Sequence, residues 1–253
     1  MPSPQHLRRR LHERRYLGRQ RRLVASALDD SPVQRLFAEN AQLPAHYGVG
    51  LDERVVELPW ALSRLGGRTL DAGGSLNHRH VLTRVLPRVA GLHIVTAAPE
   101  SHAYPELGVS YLFADFRALP LRSDYYDTIC CVSSLEHVGM DNTAYGGPSR
   151  EADPTGAVTA AVAELKRVLA PGGRLLVTVP FGVSEDHGWF RQFGETELEA
   201  LAGELGERVD LTVFAYSQEW QRSTPAAAAG ARYGDSVVAA RAVACLEAWK
   251  KAA

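Results

Sequence analysis

From residue 68 onward, short apolar runs alternate with amphipathic stretches. The runs cover 69–72, 92–97, 110–114, 128–133, 174–179 and 209–215, each the length of a buried strand. Most are apolar throughout, the pattern of parallel strands covered on both faces. Between the fourth and fifth runs, Val158, Ala161, Val162, Leu165, Val168 and Leu169 form one stripe at the helical repeat. Asp153 supplies the N-cap of that helix and Pro154 its first turn. Pro171-Gly172-Gly173 then stops it and turns the chain into the next strand. This alternation predicts an α/β fold with a doubly wound, mostly parallel sheet, helices on both faces and right-handed crossovers.

Upstream, residues 23–66 read as mainly helical, interrupted at Pro44, Gly48 and Gly50, with a last helix over 55–65 that ends at Gly66-Gly67. Residues 1–22 form either an arginine-rich helix or a disordered arm. The expected organisation is a basic arm and helical cover over 1–66 and a main domain over 67–253, with no linker between them. Length and composition fit a single large globular domain with this extension.

Charge sharpens this division. The formal net charge is −1, yet residues 1–22 hold eight arginines against Glu13, a local +7, so the remainder carries −8. A basic arm on an acidic body suits a nucleic-acid or membrane contact, or a helix folded onto its own acidic body. With no nucleic-acid signature elsewhere, the second is preferred and nucleic acid is not expected as a partner. Three cysteines argue against a disulfide framework and fit a reducing cytoplasm. Adjacent Cys130 and Cys131 should point to opposite faces of a strand as buried apolar groups. Metal-ligand spacing is absent, so no metal is expected. No apolar run reaches the roughly 18 residues of a membrane span. The basic N-terminus is not followed by the apolar stretch of a secretory signal.

In doubly wound sheets, ligands bind beyond the carboxyl ends of the strands. At the first such end stands Leu70-Asp71-Ala72-Gly73-Gly74-Ser75-Leu76-Asn77-His78. Small residues let backbone approach a ligand closely, and the following helix start offers free N–H groups. Asp71 could organise the turn or accept hydrogen bonds from an amino-acid ammonium. The same residues would also suit a tight connection with no ligand. The segment resembles motif I, acidic-x-Gly-x-Gly-x-Gly, of the class I, Rossmann-like S-adenosylmethionine-dependent methyltransferases. Asp71 and Gly73 match it, while Ser75 and Asn77 stand where the other glycines usually do.

The resemblance continues in order over residues 68–216. It implies S-adenosylmethionine as cofactor and a seven-stranded sheet, with 243–246 as a last antiparallel strand that buries Cys245. Gly73, Gly74 and Ser75 would then line the cofactor turn. The second strand should end on an acid for the ribose hydroxyls. Ala98 stands there, and Glu100 is the candidate two residues on. Asp115-Phe116-Arg117-Ala118-Leu119-Pro120 is similar to the adenine-binding turn, with Asp115 accepting from the adenine amine and the Phe116 N–H donating to a ring nitrogen. Tyr125-Tyr126-Asp127-Thr128-Ile129 matches the approach to the fourth strand. The segment 164–180 resembles the family's packing signature around Arg167-Val168-Leu169-Ala170-Pro171-Gly172-Gly173.

The fourth-strand tip, Cys130 to Val138, resembles that of small-molecule methyltransferases. It places Ser133 and Ser134 against the methionine portion, and Glu136 and His137 at the floor of the acceptor pocket. His137 is the candidate base, Glu136 a lesser one, and orienting the loop is the alternative role for His137. The connection over 139–148 is long for a βα unit and should contact substrate, through Asp141, Asn142 and Tyr145. After the fifth strand, His187 and Trp189 could line the pocket, with Phe190 and Phe193 beside them, or the aromatics could pack the helix over 196–205. Tyr47 and Trp60 belong to the segment that, by the resemblance, closes over the cofactor, where either could touch it; helical core is the preferred role for Trp60. The expected activity is methyl transfer to an O or N atom of a small-molecule acceptor by in-line displacement, with His137 assisting. An RNA-modifying enzyme using the arginine arm and a degenerate non-catalytic relative are the alternatives. Oligomeric state, a homodimer included, is left open.

Overall fold

The computed structural model describes residues 4–234 and 239–252. From Pro4 the arginine-rich stretch is helical and forms the first part of α1 (Pro4–Asp29), followed by α2 (Ser31–Ala38) and α3 (Arg54–Leu62). α1 docks through Val24, Ala27 and Leu28, all buried. It is also pinned by Tyr16, whose hydroxyl donates to Asp52 Oδ2 at 2.7 Å, and by Gln20, whose amide reaches both oxygens of the same carboxylate at 2.6 Å. Asp30 caps α2 by accepting from Val33 N. α3 is buried from Val55 to Leu62, Glu57 included. Pro59 sits inside it and has no N–H for the carbonyl of Val55. The Tyr47 hydroxyl donates to that carbonyl instead, at 2.7 Å.

The sheet runs β3-β2-β1-β4-β5-β10-β8-β9. Its parallel part comprises β1 (Arg68–Ala72), β2 (Gly91–Thr96), β3 (Ser110–Phe113), β4 (Tyr126–Val132) and β5 (Leu169–Pro180). β10 (Ala242–Trp249) inserts antiparallel between β5 and β8 (Val209–Tyr216). These are the seven expected strands. An eighth, β9 (Trp220–Ser223), folds back on β8 and forms the edge. A two-stranded hairpin, β6 (Glu185–Asp186) and β7 (Arg191–Gln192), follows β5. α4 (Arg79–Val85) leaves the β1 turn, and α5 (Pro154–Val168) begins where Asp153 accepts from Gly156 N at 2.9 Å. α6 (Glu195–Leu205) and the short α7 (Pro225–Ala228) complete the chain.

The sheet carries one apolar layer on each face. Ile94, Cys130, Val132 and Cys245 face the layer shared with α1 to α4, whereas Leu70, Ile129, Cys131 and Val177 face the layer of α5 and α6. Adjacent Cys130 and Cys131 therefore lie on opposite faces, as strand geometry requires, and all three cysteines are free and buried. Strand order reverses beside β1, between β2 and β4, which opens the crevice at their carboxyl ends. Among the described residues, no helix is long and apolar enough to cross a membrane.

The helical cover is tied to the last third of the chain. Arg64 is buried, donates to Glu247 Oε2 at 2.9 Å, and also satisfies the carbonyls of Phe37 and Trp60. Trp220 donates its backbone N–H to Tyr47 O and its indole N–H to Leu51 O at 3.0 Å. Gly48 adopts φ +67° against that indole, and a Cβ there would lie 2.7 Å from the Trp220 ring. Trp60 and Tyr47 are both buried within this layer.

Candidate active site

The turn after β1 is built around Asp71. Its side chain is buried, and Oδ2 accepts from Leu76 N at 2.9 Å, which closes the turn. Oδ1 is buried without a hydrogen-bond partner among the described residues. Burial, the main cause, raises this carboxyl from its ordinary range to about 7. Gly73 has φ +117°, and a Cβ on it would fall 1.9 Å from Ser134 Oγ. Gly74 has φ +76°, and its Cβ would fall 2.5 Å from Glu100 Oε1. Only glycine fits at either position. Ser75 donates to the carbonyl of Val132 at 2.6 Å and fastens the turn to β4.

Glu100 reaches the same turn from beyond β2. Asn77 donates to Glu100 Oε2 at 2.5 Å and to the His102 carbonyl at 2.9 Å, and it accepts from the Tyr111 hydroxyl at 2.9 Å. Tyr111 in turn accepts from Tyr104 N at 2.8 Å. Asn77 occupies the position of a motif glycine, so this departure supplies a clamp on the carboxylate. Ala98, the usual place of the acid, lies against Gly146 of the loop after β4, where an added Cβ would be only 3.4 Å from the Ala98 Cβ. A longer acidic side chain at 98 would meet that loop. The glycine cradle, the orphaned Asp71 oxygen and the held Glu100 carboxylate suit an amino-acid nucleoside with an ammonium and ribose hydroxyls.

Asp115 and Phe116 follow β3. Asp115 is held by Arg117, which donates through its backbone N–H at 2.9 Å and its guanidinium at 2.5–3.1 Å. These bonds keep the Asp115 carboxyl below its ordinary range. The Phe116 ring tip would lie 3.8 Å from a Cβ on Gly73, so this ring borders the cradle.

At the tip of β4, Ser133 adopts φ +42° and donates to Glu57 Oε1 at 2.7 Å. Thr178 donates to the same oxygen at 2.7 Å, while Arg54 bonds Glu57 Oε2 at 3.1 Å. Ser134 Oγ donates to Val132 O at 2.9 Å and faces Gly73. Next to this tip lies a cavity of about 160 Å³, lined by residues that include Arg54, Glu136, His137, Tyr145, Trp189 and Tyr233. Glu136 is buried, which drives its carboxyl well above the ordinary range. His137 Nδ1 lies 2.9 Å from the Trp189 carbonyl. A carbonyl only accepts, so Nδ1 carries the proton and Nε2 presents a lone pair. Burial lowers the His137 pKa and keeps the ring neutral.

The structure brings Glu136, His137, Tyr145 and Trp189 together around this cavity and places Asp141, Asn142 and His187 outside it. Asp141 is exposed and accepts from the Thr143 hydroxyl and N–H. Asn142 donates to the carbonyls of His137 and Met140 and so shapes the loop. His187 stacks behind Phe190, ring centroids 4.4 Å apart. Glu53, Arg54 and Tyr233 line the cavity without having been singled out from sequence. Their place as charged residues at the start of the apolar helix α3 was the visible signal for the first two, whereas Tyr233 had none. Among the described residues, no group of three His, Cys, Asp or Glu could hold a metal ion.

Residues 70–177 match the family model described as "Methyltransferase domain". The fold is similar to a Thermotoga maritima structure described as a SAM-dependent methyltransferase, possible histamine N-methyltransferase. That pair has 15% identity and a TM-score of 0.51, covering 91% of this chain and 99% of the other. It is also similar to the [4+2]-cyclase SpnF, at 17% identity and TM-score 0.51, covering 92% and 97%. At these identities the likeness concerns the fold. No curated protein matches the chain in sequence. The matched segment runs from the Asp71 turn through the β4 tip into β5, so this part of the chain carries a methyltransferase domain.

Proposed function

We propose that this enzyme methylates an O or N atom of a small-molecule acceptor held in the cavity beside the β4 tip. One observation carries this reading: Ser134 packs against Gly73 of the cofactor turn while its neighbours Ser133, Glu136 and His137 line the cavity. Cofactor and acceptor would therefore meet across two adjacent residues. Asp71 would take the amino-acid ammonium, directly or through water, Glu100 the ribose hydroxyls, and Asp115 with the Phe116 N–H the adenine. Ser133 and Ser134 would flank the methionine portion.

When bound, S-adenosylmethionine supplies an activated methyl group on a sulfonium. Holding the reacting atoms in line at about 3–3.5 Å provides much of the acceleration. The protein's remaining task is to orient the acceptor and remove its proton. Neutral His137 has Nε2 free for this, and its ring is oriented through Nδ1 by Trp189 O. The cavity is of the size that holds a single aromatic ring, since an apolar cavity of about 150 Å³ accepts benzene. The docking of α1 on Asp52 gives the arginine-rich helix an intramolecular role, which favours a small acceptor over RNA.

Calorimetric titration with S-adenosylhomocysteine, followed by a product-release assay over small phenols, alcohols and amines, tests the proposal. Saturable one-to-one binding and turnover of at least one acceptor class are expected. Absence of measurable binding would overturn it.

A further inference from the structure

The cavity combines a carboxylate that lacks a partner with a wall of aromatic rings. Glu136 is 4% exposed, and its Oε2 is buried with no hydrogen-bond partner among the described residues. An unpaired buried carboxylate costs several kcal/mol in general, and such groups in native proteins call for a ligand or a special role. Arg54 is the one Arg or Lys lining the cavity among the described residues. Its guanidinium is engaged by Glu57 at 3.1 Å, and the other Glu57 oxygen is taken by the Ser133 and Thr178 hydroxyls. The Arg54–Glu57 pair is therefore balanced; of the other two carboxyls on the lining, Glu53 accepts from Ala240 N and Glu136 is left without an ion pair among the described residues.

Facing these carboxyls are the rings of Trp189, Tyr145 and Tyr233. Trp189 packs on Phe190 at 4.5 Å, Phe190 on Tyr233 at 4.5 Å, and Tyr145 lies 6.2 Å from Trp189. Tyr145 and Trp189 stay 58% and 40% exposed, so large aromatic surface is left uncovered around this cavity. Aromatic faces attract cations, most strongly where water is excluded. A phenol would give Glu136 only a neutral hydrogen bond and the ring faces no charge to attract, whereas an ammonium would pair with the ionised carboxyl and contact the rings.

We propose that the acceptor is a small amine whose cationic nitrogen lies between the Glu136 carboxylate and the rings of Trp189, Tyr145 and Tyr233. This deepens the methyl-transfer reading of the same cavity and rests on it. His137 Nε2 takes one proton from the ammonium, which frees the nitrogen lone pair. That pair forms the new N–C bond as the carbon–sulfur bond breaks, and the bonding electrons stay on sulfur. The proton on His137 then passes to solvent.

The test uses the full chain, with and without S-adenosylhomocysteine, titrated with tetramethylammonium and with its neutral counterpart tert-butanol. Intrinsic tryptophan fluorescence and calorimetry report binding. Tetramethylammonium should bind about tenfold more tightly than tert-butanol, or better. Glu136→Gln should abolish that preference without lowering the melting temperature, because glutamine keeps the shape of a carboxyl that burial already drives toward its neutral form. Trp189→Leu, a change at a partly exposed residue, should weaken the cation and leave tert-butanol unaffected. Equal binding of the two probes by wild-type protein would overturn the amine proposal. If S-adenosylhomocysteine fails to bind, the methyl-transfer reading falls, and the probe comparison without it still decides whether the cavity selects cations.

Discussion

Replacing Asn77 by glycine would restore the residue that the cofactor motif usually carries, and the structure predicts that it weakens cofactor binding. Asn77 holds Glu100 Oε2, the His102 carbonyl and the Tyr111 hydroxyl at once. Its own φ is not positive, so glycine relieves no strain there. A hydrogen bond to a charged group contributes about 1.5–3 kcal/mol. If Glu100 contacts the ribose, its release lowers affinity by roughly that amount, a tenfold to hundredfold rise in Kd. Calorimetry with S-adenosylhomocysteine should be run on Asn77→Gly, on Glu100→Ala and on the double variant, with melting curves to confirm folding. Because Asn77 acts through Glu100, the double variant should bind no worse than Glu100→Ala alone. A Kd within twofold of wild type for Asn77→Gly, or losses that simply add, would refute the clamp.

Gly73→Ala forces a side chain onto φ +117° and against Ser134. A backbone strain of about 1–3 kcal/mol should lower the melting temperature by roughly 2–4 °C per kcal/mol and abolish S-adenosylhomocysteine binding; an unchanged melt and affinity would count against the cradle. Arg64→Met removes the buried pair with Glu247, which keeps Arg174 at 3.2 Å, and takes the donor from the Phe37 and Trp60 carbonyls, so thermal unfolding should show a loss of about 1.5–3 kcal/mol. His137→Gln should cut kcat by about 10²–10⁴ for a proton-bearing acceptor with the KM for S-adenosylmethionine unchanged, and near-wild-type kcat would assign His137 to loop orientation alone. Asp71 titrates near 7 folded against an ordinary 3.8. The native state therefore binds the extra proton between these values, and stability contributed by Asp71 falls as pH rises from about 4 to 7. Asp71→Asn should remove this slope from urea midpoints measured without ligand, and parallel pH profiles for the two proteins would contradict it.

Much of the fold was legible because its signals are local. The apolar strand runs, the stripe of α5 and its Asp153 cap each sit within one segment, and the helix and strands form where those patterns place them, except that Leu169, counted in the stripe, already opens β5, which runs on through Pro171-Gly172-Gly173. The eighth strand was not legible, since Trp220–Ser223 holds a tryptophan and three polar residues and pairs only through the β8 turn. The same division runs through the site. Asp71, Gly73 and Ser134 stand at strand ends, where neighbouring residues define the turn. The Asn77–Glu100 clamp joins positions 23 apart, and nothing in either segment announces it. Glu57 reads as a polar interruption of an apolar helix, and only the packing of α3 against β4 and β5 reveals that its carboxylate receives Ser133 and Thr178. Asp141 and Asn142 have the composition of a binding loop, but short polar side chains in turns bond first to the backbone and side chains beside them.

The ties between the helical cover and the far end of the chain set an order for biosynthesis. Arg64 pairs with Glu247, Gly48 packs on Trp220, and Glu53 accepts from Ala240 N. A nascent chain translated as far as β5 would hold the residues of the glycine cradle and of Glu136 and His137, yet its first 66 residues would lack their anchors. The roof that carries Arg54 and Glu57 would lock only after β10 had left the ribosome and slid between β5 and β8. Cofactor capture would thus await the emergence of β10, and chains arrested before it would be poor competitors for S-adenosylmethionine.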